Sequence, residues 1–568
     1  SYMLSDMKHI LNWLCSNCYT PKTQTDNWWT WEIGLPKDLI PALVLLYDDL
    51  TPEETALYTE ALYFFQPDPY HEGLIGTGST HAQGYRTAQG ANIIDCSRTA
   101  LGLGVLREDN ELVYLASKAA SETFVIQSVE DSTKIADQGY TSGFYADGSY
   151  LDHSHVPYLG SYGIEFLKGG VGLPPLLAKS PWDFPREVQE NLEFYLKEGF
   201  LNGIYNGLMM DSLKGRSVSR PGASNRDSGR EAMALMIQLM NSVSPEVEEE
   251  LKGALKTWID LDPGFLDTLT GAENMAVKEK AIEIRDDDSI VSSIQPVHKN
   301  MPLMDRAVHR TDDFQLALSM YSERIQNTEI MNHENRYGWH QGSGMTYLYN
   351  RDILQYTENF WNTVNPLRLA GTTVVSKDIG TGQPDSSGFA QGGDFRSKES
   401  WVGGSTIGTN GINGMSMTGE VRVKEGEGSP SILYAPEFSA KKSWFMFGGQ
   451  IVCLGAGITN TGESYPVESI IENRRLRPEQ DNVLTVNGEA EDLPVQEADL
   501  EDIVAGSIDV SGTRIPEVSW AHLEGNVEGS DIGYYFPGGD QTVSVRKGRN
   551  AGDWSLIGTS KGEALETY

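Results

Sequence analysis

Ile282-Glu283-Ile284-Arg285-Asp286-Asp287-Asp288-Ser289-Ile290-Val291-Ser292-Ser293 is where the periodicity of this chain changes. Upstream, apolar residues recur every three or four positions, the helical period. Downstream they alternate in short runs bounded by glycine, the period of strands. The stretch is acidic at its centre, Asp286-Asp287-Asp288, and serine-rich, so it reads as a linker between a helical half, 1–285, and a β half, 286–568.

Working back toward the N-terminus, helix-start chemistry recurs. Thr51-Pro52-Glu53-Glu54 combines a cap, a proline in the first helical position and an acidic first turn; Ser180-Pro181 and Ser244-Pro245-Glu246 repeat the device. Leu57, Ala61, Leu62 and Phe65 follow at helical spacing, as do Val188, Leu192, Tyr195 and Leu196. Helices out to about Leu261, separated by glycine-rich loops at 73–90 and 139–148, suit a helical toroid whose loops line a groove. Working forward, residues 314–322 predict a strand, and 444–447 with 450–454 flank Gly448-Gly449, a hairpin signal. Asn487-Gly488 predicts another tight turn. Glycine and serine crowd 380–414, as long connections in a large antiparallel β-sandwich would.

The chain has 568 residues, too many for one core, with a net charge of −36 and 12 tryptophans among 10% aromatics. That charge argues against nucleic acid, which needs a basic surface. An acidic polymer would also be repelled at long range, so such a partner requires a local basic cleft. No apolar run approaches the roughly 20 residues of a membrane span. Residues 3–13 read as a helix, without the basic start or small-residue cleavage site of a secretory leader. Cys15 and Cys18 have the spacing of a redox or zinc half-site, but no second pair completes it, leaving structural thiols or a local disulfide.

Polar, aromatic and glycine residues crowd where a plain core would be apolar: Asn27-Trp28-Trp29-Thr30-Trp31-Glu32-Ile33-Gly34, Gln89-Gly90-Ala91-Asn92, Asp147 to His155 running on to Tyr162-Gly163, Lys214 to Arg220, and Asn332-His333-Glu334-Asn335-Arg336-Tyr337-Gly338-Trp339. These are the parts an elimination beside a uronic acid needs. The C5 proton is α to a carboxylate and leaves only if that carboxylate is hydrogen-bonded or neutralised. A base must take the proton and an acid must protonate the departing O4. A tyrosine serves both steps if nearby guanidiniums hold its pKa below about 10. Asn92 and His153 fit the carboxylate, Tyr162 the base and acid, and Arg216 with Arg220 the positive field. Each also has a plainer reading. Tyr162 suits a core, Asn92 a helix cap, the arginines a solvated helix face, and Trp28-Trp29 a buried pair. His153 and His155 lack a third metal ligand at a recognised spacing.

Together and in this order the segments resemble polysaccharide lyase family eight, the hyaluronate, chondroitin AC and xanthan lyases, over nearly the whole chain. Asn27 to Pro36 resembles the family's aromatic patch, Gly90-Ala91-Asn92 its carboxylate-neutralising asparagine, His153 and Tyr162 its catalytic pair, and Gly215 to Arg220 its paired arginines. Glu334, in Asn-His-Glu-Asn, matches a β-domain glutamate that supports the site. The resemblance implies an incomplete (α/α) toroid followed by a large antiparallel β-sandwich, with an acidic polysaccharide in the cleft between them. It further implies a secreted, extracellular monomer with no cofactor, no catalytic metal and no membrane partner. Asn92, His153, Tyr162, Arg216, Arg220 and Glu334 would then be catalytic, and Asn27, Trp28, Trp29, Arg86 and Arg336 would bind substrate. The family resemblance implies more helix before this region and another β domain after it, so that the β half here would be incomplete at its C-terminal end. Arg86 stands where hyaluronan enzymes tend to carry an aromatic.

Residues 65–95 look more like the glycosaminoglycan enzymes, and 533–539 more like xanthan lyase. The expected substrate is hyaluronan or chondroitin, with xanthan the alternative. A toroid glycoside hydrolase would need two carboxylic acids about 5–9 Å apart, for which Asp147, Asp152 and Glu334 are available. A non-catalytic carbohydrate-binding protein would keep the aromatics without needing the polar constellation.

Overall fold

The computed structural model describes residues 2–22, 28–73, 86–129, 139–376, 395–420, 433–462, 465–479, 481–538, 541–560 and 565–567. The N-terminal half is built from α1 (Tyr2–Asn17), α2 (Leu35–Leu45), α3 (Pro52–Phe65), α4 (Gly90–Leu106), α5 (Asn110–Thr123), α6 (Tyr162–Leu177), α7 (Arg186–Phe194), α8 (Asn225–Leu239), α9 (Pro245–Leu261) and α10 (Met275–Asp286). Its short strands include the pair β1 (His71–Glu72) with β2 (Arg86–Thr87), and β3 (Tyr150–Asp152) with β4 (Val156–Pro157), which are neighbours in a small four-stranded sheet.

The local chemistry explains the helix starts. Thr51 closes a reciprocal capping box: its hydroxyl accepts the Glu54 N–H at 3.2 Å, and the Glu54 carboxylate accepts the Thr51 N–H at 2.8 Å. Ala61, Leu62 and Phe65 then fall on one face of α3 and are buried, each larger side chain contributing ~1.5–3 kcal/mol. The third signal holds at Ser244-Pro245, but Ser180-Pro181 starts no helix. There the Ser180 hydroxyl accepts the Trp182 N–H at 3.1 Å and the Asp183 carboxylate accepts the Lys179 N–H at 2.7 Å, so the signal closes a turn and α7 begins only after Pro185. The acidic stretch is divided too. Ile282–Asp286 forms the last turns of α10, with Ile284 buried, and only the residues beyond it cross to the first strand at Val297.

In the second half, β5 (Val297–Met301), β6 (Arg306–Arg310), β7 (Gln315–Ser319) and β8 (Met345–Tyr349) form an antiparallel sheet in the order β8-β7-β6-β5. β6 and β7 are buried at every position, because this sheet is a middle layer. Val308, Ala317 and Tyr347 join the core of the helices, whereas Ala307, Leu316 and Leu318 face a second core. That second core is closed by β9 (Val402–Ile407), β10 (Asn410–Glu420), β11 (Leu433–Phe447) and β12 (Gln450–Asn460), whose inward residues include Met415, Met417, Trp444 and Met446. The architecture is thus helices on a sheet and that sheet on another. Buried guanidiniums fasten the first two layers: Arg306 donates to the Ser212 carbonyl at 3.0 Å and Arg310 to the Leu201 carbonyl at 2.6 Å.

The hairpin at Gly448-Gly449 joins β11 to β12 and the turn at Asn487-Gly488 joins Leu484–Val486 to Glu489–Ala490. The strand expected at 314–322 is confined to β7. The long connection expected over 380–414 gives way, from 402 onward, to the paired strands β9 and β10, the residues 380–394 lying outside the described ones. The glycines there sit in the ladder itself: Gly404 leaves room for the Asn413 and Asn300 amides, and Gly411 for the His298 ring. Cys15 and Cys18 are not joined by a disulfide. Among the described residues no helix is long and apolar enough to cross a membrane.

Candidate active site

The site grows from the loop between β3 and β4, where His153 and Ser154 both adopt left-handed backbone, at φ 47° and 65°. Two such non-glycine residues in succession cost roughly 1–3 kcal/mol each and persist only where the surroundings impose them. Here they do. The His153 N–H donates to Asp152 Oδ1 at 2.8 Å, the Ser142 hydroxyl donates to the same oxygen at 3.0 Å, and the Tyr150 hydroxyl reaches Asp152 Oδ2 at 3.3 Å. On the far side His155 Nδ1 meets the Arg324 carbonyl of the β half at 2.8 Å. The turn is held from both halves, and the His153 ring is aimed by it.

Tyr162, the first residue of α6, lies beside that ring, with centroids 5.0 Å apart. Tyr158 completes an edge-to-face triangle, 4.8 Å from Tyr162 and 5.6 Å from His153. Gly215 has φ +53° and presses on Tyr158, where a Cβ would come within 2.2 Å of the ring. That close approach brings the next residue, Arg216, into the cluster. Arg216 Nη2 donates to the Tyr162 hydroxyl at 3.3 Å, Nη1 to the Tyr158 hydroxyl and to Glu329 Oε2, both at 2.8 Å, and Nε to Glu334 Oε2 at 2.8 Å.

The two glutamates come from the β half. Glu329 also holds His153 Nδ1 at 2.5 Å and accepts a bond from the Tyr158 hydroxyl. Glu334 takes both arginines, with Arg220 Nε at 2.5 Å and Nη2 at 2.9 Å. Its loop is folded by left-handed residues at Asn332, His333 and Asn335, and pinned by the Asn335 N–H to the Ser219 hydroxyl at 3.1 Å. Helical and β halves each supply only part of this cluster.

Burial would raise Glu329, but His153 and Arg216 outweigh it and hold its carboxyl down at about 2. Burial likewise opposes ionisation of Glu334, and Arg220 and Arg216 pull it below the usual carboxylate range. His153 is pushed down by burial and up by Glu329, with the carboxylate prevailing. For Tyr162 the expectation of a lowered pKa is corrected. Burial of the phenol is the larger effect, Arg216 opposes it through charge and hydrogen bond, and the net displacement is upward. Arg220 is turned to Glu334 and does not bond to the phenol. The phenol therefore rests protonated at neutral pH.

Asn92 lies in the first turn of α4, whose opening residue Gly90 has φ +54° and packs where a Cβ would meet Asp152 Oδ2 at 2.9 Å and the Ser142 Cβ at 2.7 Å. Strand β3 and the start of α4 thus share one wall, and the Asn92 amide is near enough to the buried Glu72 carboxyl to favour its ionised form, although burial prevails and displaces Glu72 upward. Glu72 in turn accepts from Arg86 Nε at 2.8 Å, and the Arg86 guanidinium lies 5.0 Å from the Trp28 ring centroid. Trp29 is 41% exposed and rests on Gly34, with the Lys37 ammonium 5.9 Å from its ring. Asn27 lies outside the described residues. Arg336 is not drawn into the cluster: it donates to the His333 carbonyl at 3.2 Å and the Ser555 carbonyl at 3.4 Å, at the C-terminal segment. Among the described residues no three His, Cys, Asp or Glu side chains gather as a metal site.

Two central residues, Glu329 and Tyr158, were not singled out from sequence. Asn327-Thr328-Glu329-Ile330 contains one acid among neutral residues, and no local pattern marks an acid whose partners are 113 and 176 residues away. Tyr158 stood inside the quoted polar run, but its role depends on Gly215, which is remote in sequence.

Comparison with known proteins agrees with this architecture. Residues 1–257 match "Polysaccharide lyase family 8, N terminal alpha-helical domain", and 296–567 match "Polysaccharide lyase family 8, super-sandwich domain". Similar sequences include hyaluronate lyase HylB of Enterococcus faecalis, 30% identical over 95% of this chain and 50% of that protein, and xanthan lyase of Bacillus sp. strain GL1, 32% identical over 97% and 52%. Similar solved structures include a Paenibacillus xanthan lyase, with TM-score 0.77, 31% identity, and coverage of 100% of this chain and 48% of that one. Streptomyces coelicolor chondroitin AC lyase in complex with chondroitin sulphate follows at 0.76 and 29%, covering 99% and 67%. The chain spans about half the length of the curated relatives named here. On these two matches, an N-terminal helical domain and a super-sandwich joined in one chain, the protein belongs to polysaccharide lyase family 8.

Proposed function

We propose that the protein cleaves a uronic-acid-containing polysaccharide of the hyaluronan or chondroitin type by β-elimination. The observation that carries this reading is the Tyr162 phenol, 3.3 Å from Arg216 Nη2 and edge-on to His153 at 5.0 Å. In this mechanism Asn92 and His153 bind the uronate carboxylate, so that charge developing as the C5 proton leaves is stabilised. Tyr162 removes that proton as phenolate, with Arg216 favouring the ionised form, and returns it to the departing O4 as phenol. The C4–O4 bond breaks, a C4=C5 double bond forms, and no water is consumed. Glu329 fixes the tautomer and direction of His153 through Nδ1 and keeps Arg216 against the tyrosines, while Glu334 holds both guanidiniums. A polymer of this kind is met outside the cell, so secretion accompanies the proposal.

The hydrolase reading loses support. It requires one carboxylic acid to stay protonated as the general acid. Of its candidates, Glu334 is ion-paired to both arginines and displaced downward. Asp152, though burial displaces it upward, is buried with both oxygens engaged by the His153 N–H and the Ser142 and Tyr150 hydroxyls. Xanthan remains the second reading because the similar xanthan lyase structure superposes at TM-score 0.77. Incubating the protein separately with hyaluronan, chondroitin and lyase-treated xanthan, and following the ultraviolet absorbance of the unsaturated uronate, tests class and substrate together. New reducing ends without that absorbance would overturn the lyase reading. Asn92→Ala is expected to lower kcat about 10²-fold, as for loss of one oxyanion donor, with KM nearly unchanged in steady-state kinetics.

A further inference from the structure

Among the cations near the site, Arg86 is held in its own way. Arg216 and Arg220 commit their guanidiniums to Glu329, Glu334 and the tyrosines. Arg86 gives only Nε to Glu72, and no described residue accepts a bond from either of its Nη nitrogens. Glu72 and Arg86 sit opposite each other in the β1–β2 pair, so backbone register fixes the ion pair. The Glu72 side chain is 6% exposed and that of Arg86 46%. The result is a planar fork lying over the Trp28 indole, anchored at its inner edge and open to solvent at its outer edge. In a chain of net charge −36, this half-committed guanidinium leaves two nitrogens facing outward.

An indole alone accepts the C–H face of a pyranose whatever its charge. A guanidinium stacked on it offers two parallel N–H donors, the geometry that matches a carboxylate or a sulfate. We propose that Arg86 is a specificity-determining residue that reads an anionic group, a sulfate ester or a carboxylate, on the sugar seated beside Trp28. Glu72 is the positioning residue that holds the fork. The inference rests on the reading that an acidic polysaccharide runs past Trp28 toward Tyr162, and the packing of Gly90, two residues before Asn92, against Asp152, next to His153, supports the continuity of that wall toward the tyrosine. The opposition of burial to ionisation of Glu72 makes its pairing with Arg86 the more necessary.

The test is calorimetric binding of tetrasaccharides to the Tyr162→Phe protein, which prevents turnover. Three ligands are compared: chondroitin sulfate, unsulfated chondroitin, and a neutral carboxyl-reduced chondroitin. Arg86→Gln is expected to weaken the anionic ligands at least about tenfold and leave the neutral one unchanged. A loss confined to the sulfated ligand assigns the fork to sulfate; an equal loss on both anionic ligands assigns it to the carboxylate. Unchanged affinity for both, or an equal loss on the neutral ligand, overturns the proposal. Glu72→Gln should reproduce the charge-selective loss, which a merely structural role would not. If Arg86→Gln melts early because Glu72 is left unpaired, the double variant Arg86→Gln/Glu72→Gln carries the same comparison. These affinities are read without any turnover, so absence of unsaturated product from the wild-type protein would overturn the lyase reading while leaving this result standing.

Discussion

Tyr162→Phe is expected to lower kcat at least about 10³-fold, with KM within about threefold of the wild-type value and an unchanged melting temperature. The ring keeps its contacts with His153 and Tyr158, and only the proton carrier goes. General base and general acid steps are each worth about 10²–10⁴, and in the proposed mechanism one oxygen serves both. Because burial raises the phenol despite Arg216, the fraction ionised is small at neutral pH and grows as the pH rises. In the wild type kcat/KM should therefore climb through the neutral range toward alkaline pH. A Tyr162→Phe protein retaining more than a tenth of wild-type kcat, or a wild-type profile flat across that range, would remove the tyrosine from its role.

Glu329→Gln should be nearly as damaging, and it separates two effects. The carboxylate binds His153 Nδ1, the Tyr158 hydroxyl and Arg216 Nη1, so neutralising it disturbs both the ring proposed to meet the substrate carboxylate and the cation beside the phenol. A kcat loss of about 10³ is expected from the two together, each comparable to loss of one stabilising donor. Removing one partner of a buried ion pair also costs about 3 kcal/mol of stability, read as a lower denaturant midpoint. The pH dependence follows from linkage. The folded pKa of Glu329 lies at about 2, below its ordinary 4.5. The unfolded chain therefore binds more protons in that interval, and the stabilisation is full above about 4.5 and is lost as pH falls toward about 2. His153 acts in the opposite sense. Its folded pKa is raised above 6.5, so its contribution is full below that value and declines as pH rises through the folded pKa. Wild-type stability should fall steeply on acidification from pH 4.5 to 2, and Glu329→Gln should flatten that limb. An equally steep acid limb in the variant would place the titrating group elsewhere.

Much of this protein was legible in its sequence. The capping box at Thr51, the helical spacing through Phe65 and the turn at Gly448-Gly449 are local interactions, decided within a few residues by side chains competing for backbone groups. The same locality made Ser180-Pro181 ambiguous, because a cap and a turn use the same hydroxyl. It also placed His153, Tyr162, Arg216 and Glu334 in segments whose polar and glycine content has no use in a plain core. What the sequence determined by itself, then, was the inventory of candidate site residues and the change of period that divides helices from strands. Only the tertiary structure decided which acid grips His153, because Glu329 reaches it across the boundary between halves where no local pattern records the contact. It also decided the charge state of Tyr162: a guanidinium nearby lowers a phenol, but the desolvation that opposes it depends on how many layers close over the ring, and that is a property of the assembled fold.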